Sequence, residues 1–219
     1  MDNLTASRIA GGNTAYKRVA SDFYPTPPEA TVALMDFLDL PKGTKIWEPA
    51  CGQGHMVKVM EQMGYAVIGT DIQFGDDSLK ALLMDCEWII TNPPFSQSEQ
   101  FIARCIEHGL PFALLLKSQY WHAAKRYPLF NLQQPEAILP LTWRPDFMFK
   151  TRGNGSPLMD VMWVQWHPDY HSTTHYVPLP RPTKERMEAL KDGKGDLLDG
   201  KEYHSSQFGV LHYRKVIEA

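Results

Sequence analysis

The sequence predicts an α/β protein built on a doubly wound, mostly parallel sheet whose final strand is antiparallel. Short apolar runs alternate with amphipathic segments of helical period over the first 166 residues, which is typical of βαβ units. One run, Phe112–Leu116, contains no polar residue, as expected for a strand at the centre of a parallel sheet. We therefore expect one main domain over residues 21–166.

The N-terminal region divides into an arm and a rigid corner. Residues 1–20 show no sustained period and are expected to form a mobile arm. Residues 22–28 contain three prolines and lead into a predicted helix over 29–38. Tyr24 and Thr26 present hydroxyl groups at this stiff corner, although an ordinary helix start would have the same pattern.

A glycine-containing turn follows the first predicted strand, which begins at Lys45. The turn, Glu48 to Gly54, opens a helix whose apolar side includes Met56 and Met60. Glycines let a ligand approach the backbone closely, and a helix N-terminus offers unpaired N–H groups. The spacing does not match the dinucleotide pattern of three glycines, so a phosphate is not the expected ligand. Glu48 instead suits a cationic amine.

The second predicted strand, over residues 65–70, ends at Asp71. An acid at this position of an open α/β sheet commonly accepts hydrogen bonds from ribose hydroxyls. A strand-end acid that only faces water is the alternative. Asp71 lies 17 residues after Gly54 and one strand later, which favours the ribose interpretation.

The next apolar run, over 88–90, leads into Thr91-Asn92-Pro93-Pro94-Phe95. The Asn92 amide oxygen and the Pro93 carbonyl can accept both hydrogens of a planar amino group and free its lone pair. Phe95 offers an apolar face on which a base flipped out of a duplex could stack. A proline-stiffened turn without chemistry is the alternative.

The later elements are expected to be a helix over 97–108, a helical segment over 118–132, strands over 137–139 and 161–164, a short helix over 183–190 and an edge strand over 207–213. His167, His171 and His175 are spaced by four residues, as on a metal-binding helix face. Pro168 and the Ser172-Thr173-Thr174 run argue against a helix there, so no metal site is predicted.

Composition excludes several classes of protein. No apolar run approaches membrane-spanning length and the N-terminus has no basic leader, so we expect a soluble cytoplasmic protein. Three cysteines without paired spacing predict neither disulfides nor a cysteine zinc site. A net charge of −3 argues against strong, indiscriminate binding of nucleic acid.

The charge is unevenly distributed, however. Residues 117–152 contain six basic residues against two acidic ones, interleaved with aromatic residues. This pattern suits a nucleic-acid surface, although some of these rings must belong to the core. The predicted substrate contacts are Lys117, Tyr120, Arg144, Phe147, Lys150 and Arg152.

In order, the sequence has a Tyr-x-Thr-Pro corner, Glu-Pro-Ala-Cys-Gly-x-Gly after the first strand, Gly-Thr-Asp after the second and Thr-Asn-Pro-Pro-Phe after the fourth. This set resembles the amino-group DNA methyltransferases that depend on S-adenosylmethionine, most closely the small N6-adenine enzymes of phages and prophages. The resemblance covers about residues 22–166. It implies a Rossmann-like class I methyltransferase fold with seven strands, and a bacterial, phage- or prophage-encoded enzyme.

The resemblance also implies residue roles. Asn92 and Pro93, with Pro94, would bind the target amino group, and Phe95 would stack on the flipped adenine. Glu48 would lie near the cofactor's ammonium, and Asp71 would bind its ribose. The other implied cofactor contacts are Tyr24, Thr26, Pro27, Ala50, Gly52, Gly54, Ile72 and Asp77, with Asp85 as the alternative to Asp77. Ser78 stands where the family usually has an aromatic residue.

The same loop serves enzymes that methylate adenine or guanine amino groups in RNA or a glutamine in protein, so the loop alone leaves the substrate open. The order of the motifs and the Tyr24–Pro27 corner favour DNA, whereas the negative net charge mildly favours a protein substrate. A catalytically silent nucleic-acid binder is a further alternative. Beyond residues 120–150 and the tail we expect no room for a large target-recognition domain. The recognised site would then be short or relaxed, or a second subunit would supply the specificity, and a homodimer remains open. Residues 167–219 are expected to form an extension that packs on the domain or is partly flexible.

Overall fold

The computed structural model describes residues 25–147 and 159–191. In these ranges the helices are α1 (Pro28–Leu38), α2 (His55–Gln62), α3 (Ser98–His108), α4 (Tyr127–Leu132) and α5 (Lys184–Lys191). The strands are β1 (Lys45–Glu48), β2 (Ala66–Gly69), β3 (Trp88–Thr91), β4 (Phe112–Lys117), β5 (Ala137–Pro140), β6 (Val161–Trp166) and β7 (His175–Tyr176).

The strands form one seven-stranded sheet in the order β2-β1-β3-β4-β6-β5-β7. β1 pairs in parallel with β2 and β3, and β3 with β4. β6 lies between β4 and β5 and runs antiparallel to both. The predicted fold class, a mostly parallel sheet with one antiparallel strand, is confirmed, but the antiparallel strand is β6 rather than the final strand, because β7 pairs in parallel with β5.

Apolar clusters cover both faces of the sheet, as a doubly wound fold requires. Successive residues of β4 alternate between them because strand side chains point to opposite faces. Ala113 and Leu115 join the cluster that contains the buried side of α1 and α2. Phe112, Leu114 and Leu116 join the cluster packed against α3.

Several details differ from the prediction. The strand before Asn92 is the third in the chain rather than the fourth, because residues 72–87 contain a 3-10 turn (Ile72–Phe74) and no strand. The segment 118–132 contains two 3-10 turns followed by the six-residue α4. Pro128 lacks a backbone N–H and fits only in the first turn of a helix, so one continuous helix cannot run through it from residue 118. The seventh strand is β7; the strand predicted over 207–213 lies outside the described residues.

Among the residues that the structure describes, no helix is long and apolar enough to cross a bilayer.

Candidate functional site

The carboxyl ends of β1, β2 and β3 meet at one edge of the sheet, because these strands are parallel neighbours. The loops that follow them, together with the corner before α1, enclose a cavity of about 360 Å³. Nine of the residues predicted as cofactor or catalytic contacts line it: Thr26, Glu48, Ala50, Gly52, Asp71, Ile72, Asp77, Asn92 and Pro94. The structure therefore brings together most of a set that the chain spreads over residues 26–94.

The turn that follows β1 forms one wall of the cavity, and its backbone conformation favours glycine at two positions. Gly52 and Gly54 have φ values of 52° and 75°, in the left-handed region, and Gly54 directly precedes α2. Thr70 donates its backbone N–H to the Glu48 carbonyl, and Cys51 donates its own to the Thr70 carbonyl, both over 2.9 Å. These bonds fix the turn against the end of β2.

Gly69, at the end of β2, was not predicted as a site residue. A Cβ atom there would lie 2.9 Å from Val57 Cγ2, too close for any real contact, and 3.1 Å from Cys51 Cβ, which is tight. Gly69 thus lets β2 approach the turn and α2 closely. The Gly-Thr-Asp motif contains this signal, since the glycine directly precedes the two residues that organise the loop.

Glu48 is a buried acid whose carboxyl group is only partly satisfied. Its side chain is 2% exposed, and the Val57 backbone N–H hydrogen-bonds to it. Its Oε2 atom has no hydrogen-bond partner among the described residues. Burial raises the pKa of Glu48 to about 8, and the nearby Asp71 carboxylate adds to the effect. An unpaired buried carboxyl oxygen at a cavity wall is suited to a cationic amine.

Asp71 organises the next loop. Its Oδ2 accepts the Gly52 N–H at 2.8 Å, and its Oδ1 accepts the Gln73 N–H at 2.9 Å. The side chain therefore holds the glycine turn and the Ile72–Phe74 turn in register. Each carboxylate oxygen has a further lone pair for a ligand hydroxyl, and the ribose role remains a prediction.

Asn92 is held by the corner that precedes α1. Its Nδ2 donates to Thr26 Oγ1 over 3.0 Å, and Thr26 is buried, at 4% exposure. This bond assigns the amide nitrogen to the Thr26 side, so that the amide oxygen faces the other way. Two motifs separated by 66 residues are thus joined by one side-chain hydrogen bond.

The rest of the loop is fixed by local contacts. Pro93 is buried, and Gln97 donates its backbone N–H to the Pro94 carbonyl over 2.8 Å. Phe95 does not line the cavity and packs against the core on the α1 side of the sheet. The Lys117 ammonium lies 4.4 Å from the centre of the Phe95 ring, a cation–π contact. The predicted substrate contact Lys117 is thereby placed beside the predicted catalytic loop.

Ser78 is buried and turns inward. Its hydroxyl donates to the Pro49 carbonyl and lies 3.5 Å from Thr70 Oγ1, which accepts the Trp47 indole N–H. This chain of polar contacts holds the 76–79 loop against the cavity. Asp77 lines the cavity and pairs with Lys80 over 2.7 Å.

The alternative acid, Asp85, does not line the cavity; it forms an exposed ion pair with Lys45 over 2.6 Å. Cys105 is buried, whereas Cys51 is half-buried and lines the cavity. Gly54 and Pro27 lie next to lining residues but do not line the cavity themselves.

The predicted substrate contacts in the basic window are not gathered at the cavity. Tyr120 and Phe147 are core residues, at 6% and 2% exposure. Burial raises the pKa of Tyr120 to about 12. Arg144 forms an exposed ion pair with Asp160 over 2.6 Å. Tyr24, Lys150 and Arg152 lie outside the described residues.

The three spaced histidines do not share a helix. His167 follows β6, whereas His175 begins β7. Within residues 25–147 and 159–191, no group of three or more His, Cys, Asp or Glu side chains could hold a metal ion.

No family model matches the sequence, and no curated protein matches it either. Solved structures do match. One, from Listeria monocytogenes, is described as a class I S-adenosylmethionine-dependent methyltransferase; it is 14% identical over 80% of this chain and 73% of its own, with a TM-score of 0.53. The methyltransferase subunit of a type I restriction-modification system from Streptococcus thermophilus is 11% identical over 86% of this chain and 56% of its own, with a TM-score of 0.54.

The M protein of the type I restriction enzyme EcoKI also matches, at 13% identity over 79% of this chain and 54% of its own, with a TM-score of 0.50. The chain thus spans about half the length of the two type I methyltransferases. At these identities the likeness concerns the fold: the chain has the Rossmann-like fold of class I methyltransferases.

Proposed function

We propose that the chain transfers the methyl group of S-adenosylmethionine to the N6 amino group of adenine in DNA. The observation that carries this proposal is the Thr26–Asn92 hydrogen bond, because it orients an amide acceptor at the cavity that most of the predicted cofactor contacts line. Beyond this, we place the chain among the small phage- or prophage-type enzymes of the bacterial cytoplasm, with a homodimer as one arrangement.

The described residues fit this cofactor. The unpaired Glu48 Oε2 atom would accept a hydrogen bond from the ammonium group of the cofactor's methionine part. The turn at Gly52, where a ligand can approach the backbone closely, would contact the methionine part of the cofactor. Asp71 would accept hydrogen bonds from its ribose hydroxyls, and Asp77 from its adenine amino group. The cofactor supplies a sulfonium-bound methyl group that is already activated for in-line transfer.

The chain's own part is to prepare the amino group. The Asn92 amide oxygen and the Pro93 carbonyl accept its two hydrogens, which directs the nitrogen lone pair away from the aromatic ring. Thr26 keeps the amide in the accepting orientation. Phe95 packs against the core outside the cavity, so its stacking on the base remains a prediction, whereas the loop would fix the angle of approach.

Nucleic acid is supported by Lys117 beside Phe95, since an ammonium near the catalytic loop can meet a phosphate. The likeness to the two type I restriction-modification methyltransferases is consistent with DNA. RNA and protein glutamine carry the same kind of planar amino group and are therefore outcomes of the test.

The test is incubation with labelled S-adenosylmethionine and, in parallel, unmethylated DNA, total RNA and a protein extract, followed by nucleoside and amino-acid analysis. Label in N6-methyladenine from DNA is expected. Label in RNA or protein alone would contradict the DNA proposal. Asn92→Ala should abolish transfer and retain cofactor binding, whereas Asn131→Ala, at an exposed position of α4, should behave as wild type. A full-rate Asn92→Ala enzyme would refute the catalytic assignment.

A further inference from the structure

Beside the catalytic loop, two cations converge on one carboxylate oxygen. Lys125 Nζ and Arg126 Nε lie 3.0 and 2.9 Å from Glu99 Oε1. Glu99 is in the first turn of α3, four residues or about one helical turn after Phe95. Because β3 and β4 are parallel, the segment that carries Lys125 and Arg126 starts from the same edge of the sheet as the Asn92 loop.

Two further contacts hold the Arg126 guanidinium beside Glu99. Its Nη1 donates to the Tyr120 carbonyl over 2.7 Å, and its plane lies 4.2 Å from the centre of the Tyr120 ring. The Arg126 side chain is only 21% exposed, whereas that of Lys125 is 71% exposed. One fixed and one adaptable donor therefore point at a single oxygen position, which is how paired cations bind an oxygen of a phosphate.

We propose that Lys125 and Arg126 form a phosphate-binding site that Glu99 occupies until a phosphodiester of the substrate replaces it. This inference rests on the proposed function, because it takes the substrate to be nucleic acid. The Glu99 carboxylate acts as an internal competitor: Oε1 marks the position that a phosphate oxygen would take. Two cations and one anion leave a net charge of about +1, so the site still attracts an anion.

The electrostatics of the site agree with this role. Hydrogen bonds from Lys125 and Arg126 hold the pKa of Glu99 below its ordinary value, so the competitor is ionised at neutral pH. The other described basic side chains of the 117–152 window are also engaged: Lys117 lies over Phe95, and Arg144 pairs with Asp160. The described part of this window thus presents little unpaired positive charge to a duplex, so selection would depend more on the base that reaches Asn92.

The test compares two charge-equivalent variants on the same helix. Glu99→Gln removes the ion pairs with Lys125 and Arg126, whereas Glu107→Gln removes the 2.7 Å ion pair with Arg104 at the opposite end of α3. Binding of a fluorescein-labelled adenine-containing duplex is measured by anisotropy over a series of KCl concentrations. Glu99→Gln should lower Kd roughly three- to tenfold at low salt and steepen the slope of log Kobs against log[KCl] by roughly 0.9. Glu107→Gln should change neither.

Equal effects of Glu99→Gln and Glu107→Gln would overturn the proposal, because net charge alone would then explain the change. Lys125→Gln, at an exposed position, should raise the wild-type Kd and flatten the slope by roughly 0.9; an unchanged slope would also overturn it. Methyl transfer is measured separately. If DNA is methylated but Glu99→Gln matches Glu107→Gln, only this site fails; if duplex binding depends on Glu99 but no DNA is methylated, only the proposed function fails.

Discussion

Thr26→Val removes the hydroxyl that accepts the Asn92 amide N–H and keeps nearly the same side-chain shape. Thr26 is 4% exposed, so water cannot easily replace the lost acceptor. If Thr26 acts by orienting Asn92, the variant should lose catalytic rate. If it acts by touching the cofactor, the variant should lose cofactor affinity instead.

The magnitude follows from the single bond removed. A neutral intramolecular hydrogen bond contributes about 0.5–1.5 kcal/mol net, and 1.36 kcal/mol in an activation barrier is tenfold in rate. Thr26→Val should therefore reduce kcat roughly 2- to 12-fold by weakening the orientation of the amide that the 3.0 Å bond provides.

Thr26→Ser is the matched control, because it retains Oγ and removes only the methyl group. Single-turnover methylation of DNA gives the rate, and titration of the protein with S-adenosylmethionine gives the affinity. We expect Thr26→Ser to keep a rate within about twofold of wild type, whereas Thr26→Val loses rate with a nearly unchanged cofactor Kd. A Thr26→Val enzyme with the wild-type rate, or one whose defect lies wholly in cofactor affinity, would refute the reasoning.

Two further predictions concern the walls of the cavity. Gly69→Ala should lower stability by about 1–3 kcal/mol, seen as a lower Tm, because its Cβ would lie 2.9 Å from Val57 Cγ2; Gly69→Ala/Val57→Ala should recover only the part of the loss that comes from Val57, because Cys51 Cβ would still lie 3.1 Å away. An unshifted Tm for the single variant would contradict the close approach. Burial raises the pKa of Glu48 from 4.5 to about 8, so between these values the folded protein retains a proton that the unfolded chain releases. Stability without cofactor should therefore fall as pH rises through this range, by at most about 1.4 kcal/mol per pH unit, and Glu48→Gln should remove that fall in denaturant titrations; parallel curves would contradict it.

The sequence is most informative where chemistry requires a rare residue at a strand end. The glycine turn, the acid at position 71 and the Asn-Pro-Pro-Phe loop each follow an apolar run, and parallel strands bring such ends to one edge. The cavity could therefore be predicted from Gly52, Asp71 and Asn92 without knowledge of side-chain contacts. The seventh strand of the sheet could not be predicted, because the two residues of β7 carry no strand pattern.

Such sequence patterns do not predict contacts between side chains that are distant in the chain. An isolated Ser78 gives no sign that its hydroxyl will reach the Pro49 carbonyl. Tyr120 belongs to the basic, aromatic window but is buried, since an aromatic residue after a central strand can pack inward as readily as it can face a ligand. Composition cannot distinguish these cases, because the packing of the 118–126 segment on α3 decides them.

Glu48 and Asp71 show how equivalent positions acquire different tasks. Both are acids at the ends of adjacent parallel strands, and both are buried, at 2% and 6% exposure. Asp71 receives two backbone N–H groups that close the turns around it, so each of its carboxylate oxygens already has a donor. Glu48 has an oxygen with no such donor, and burial favours its protonated form. A cation that enters the cavity would therefore be bound most favourably at Glu48, because the Oε2 atom there can still accept a hydrogen bond.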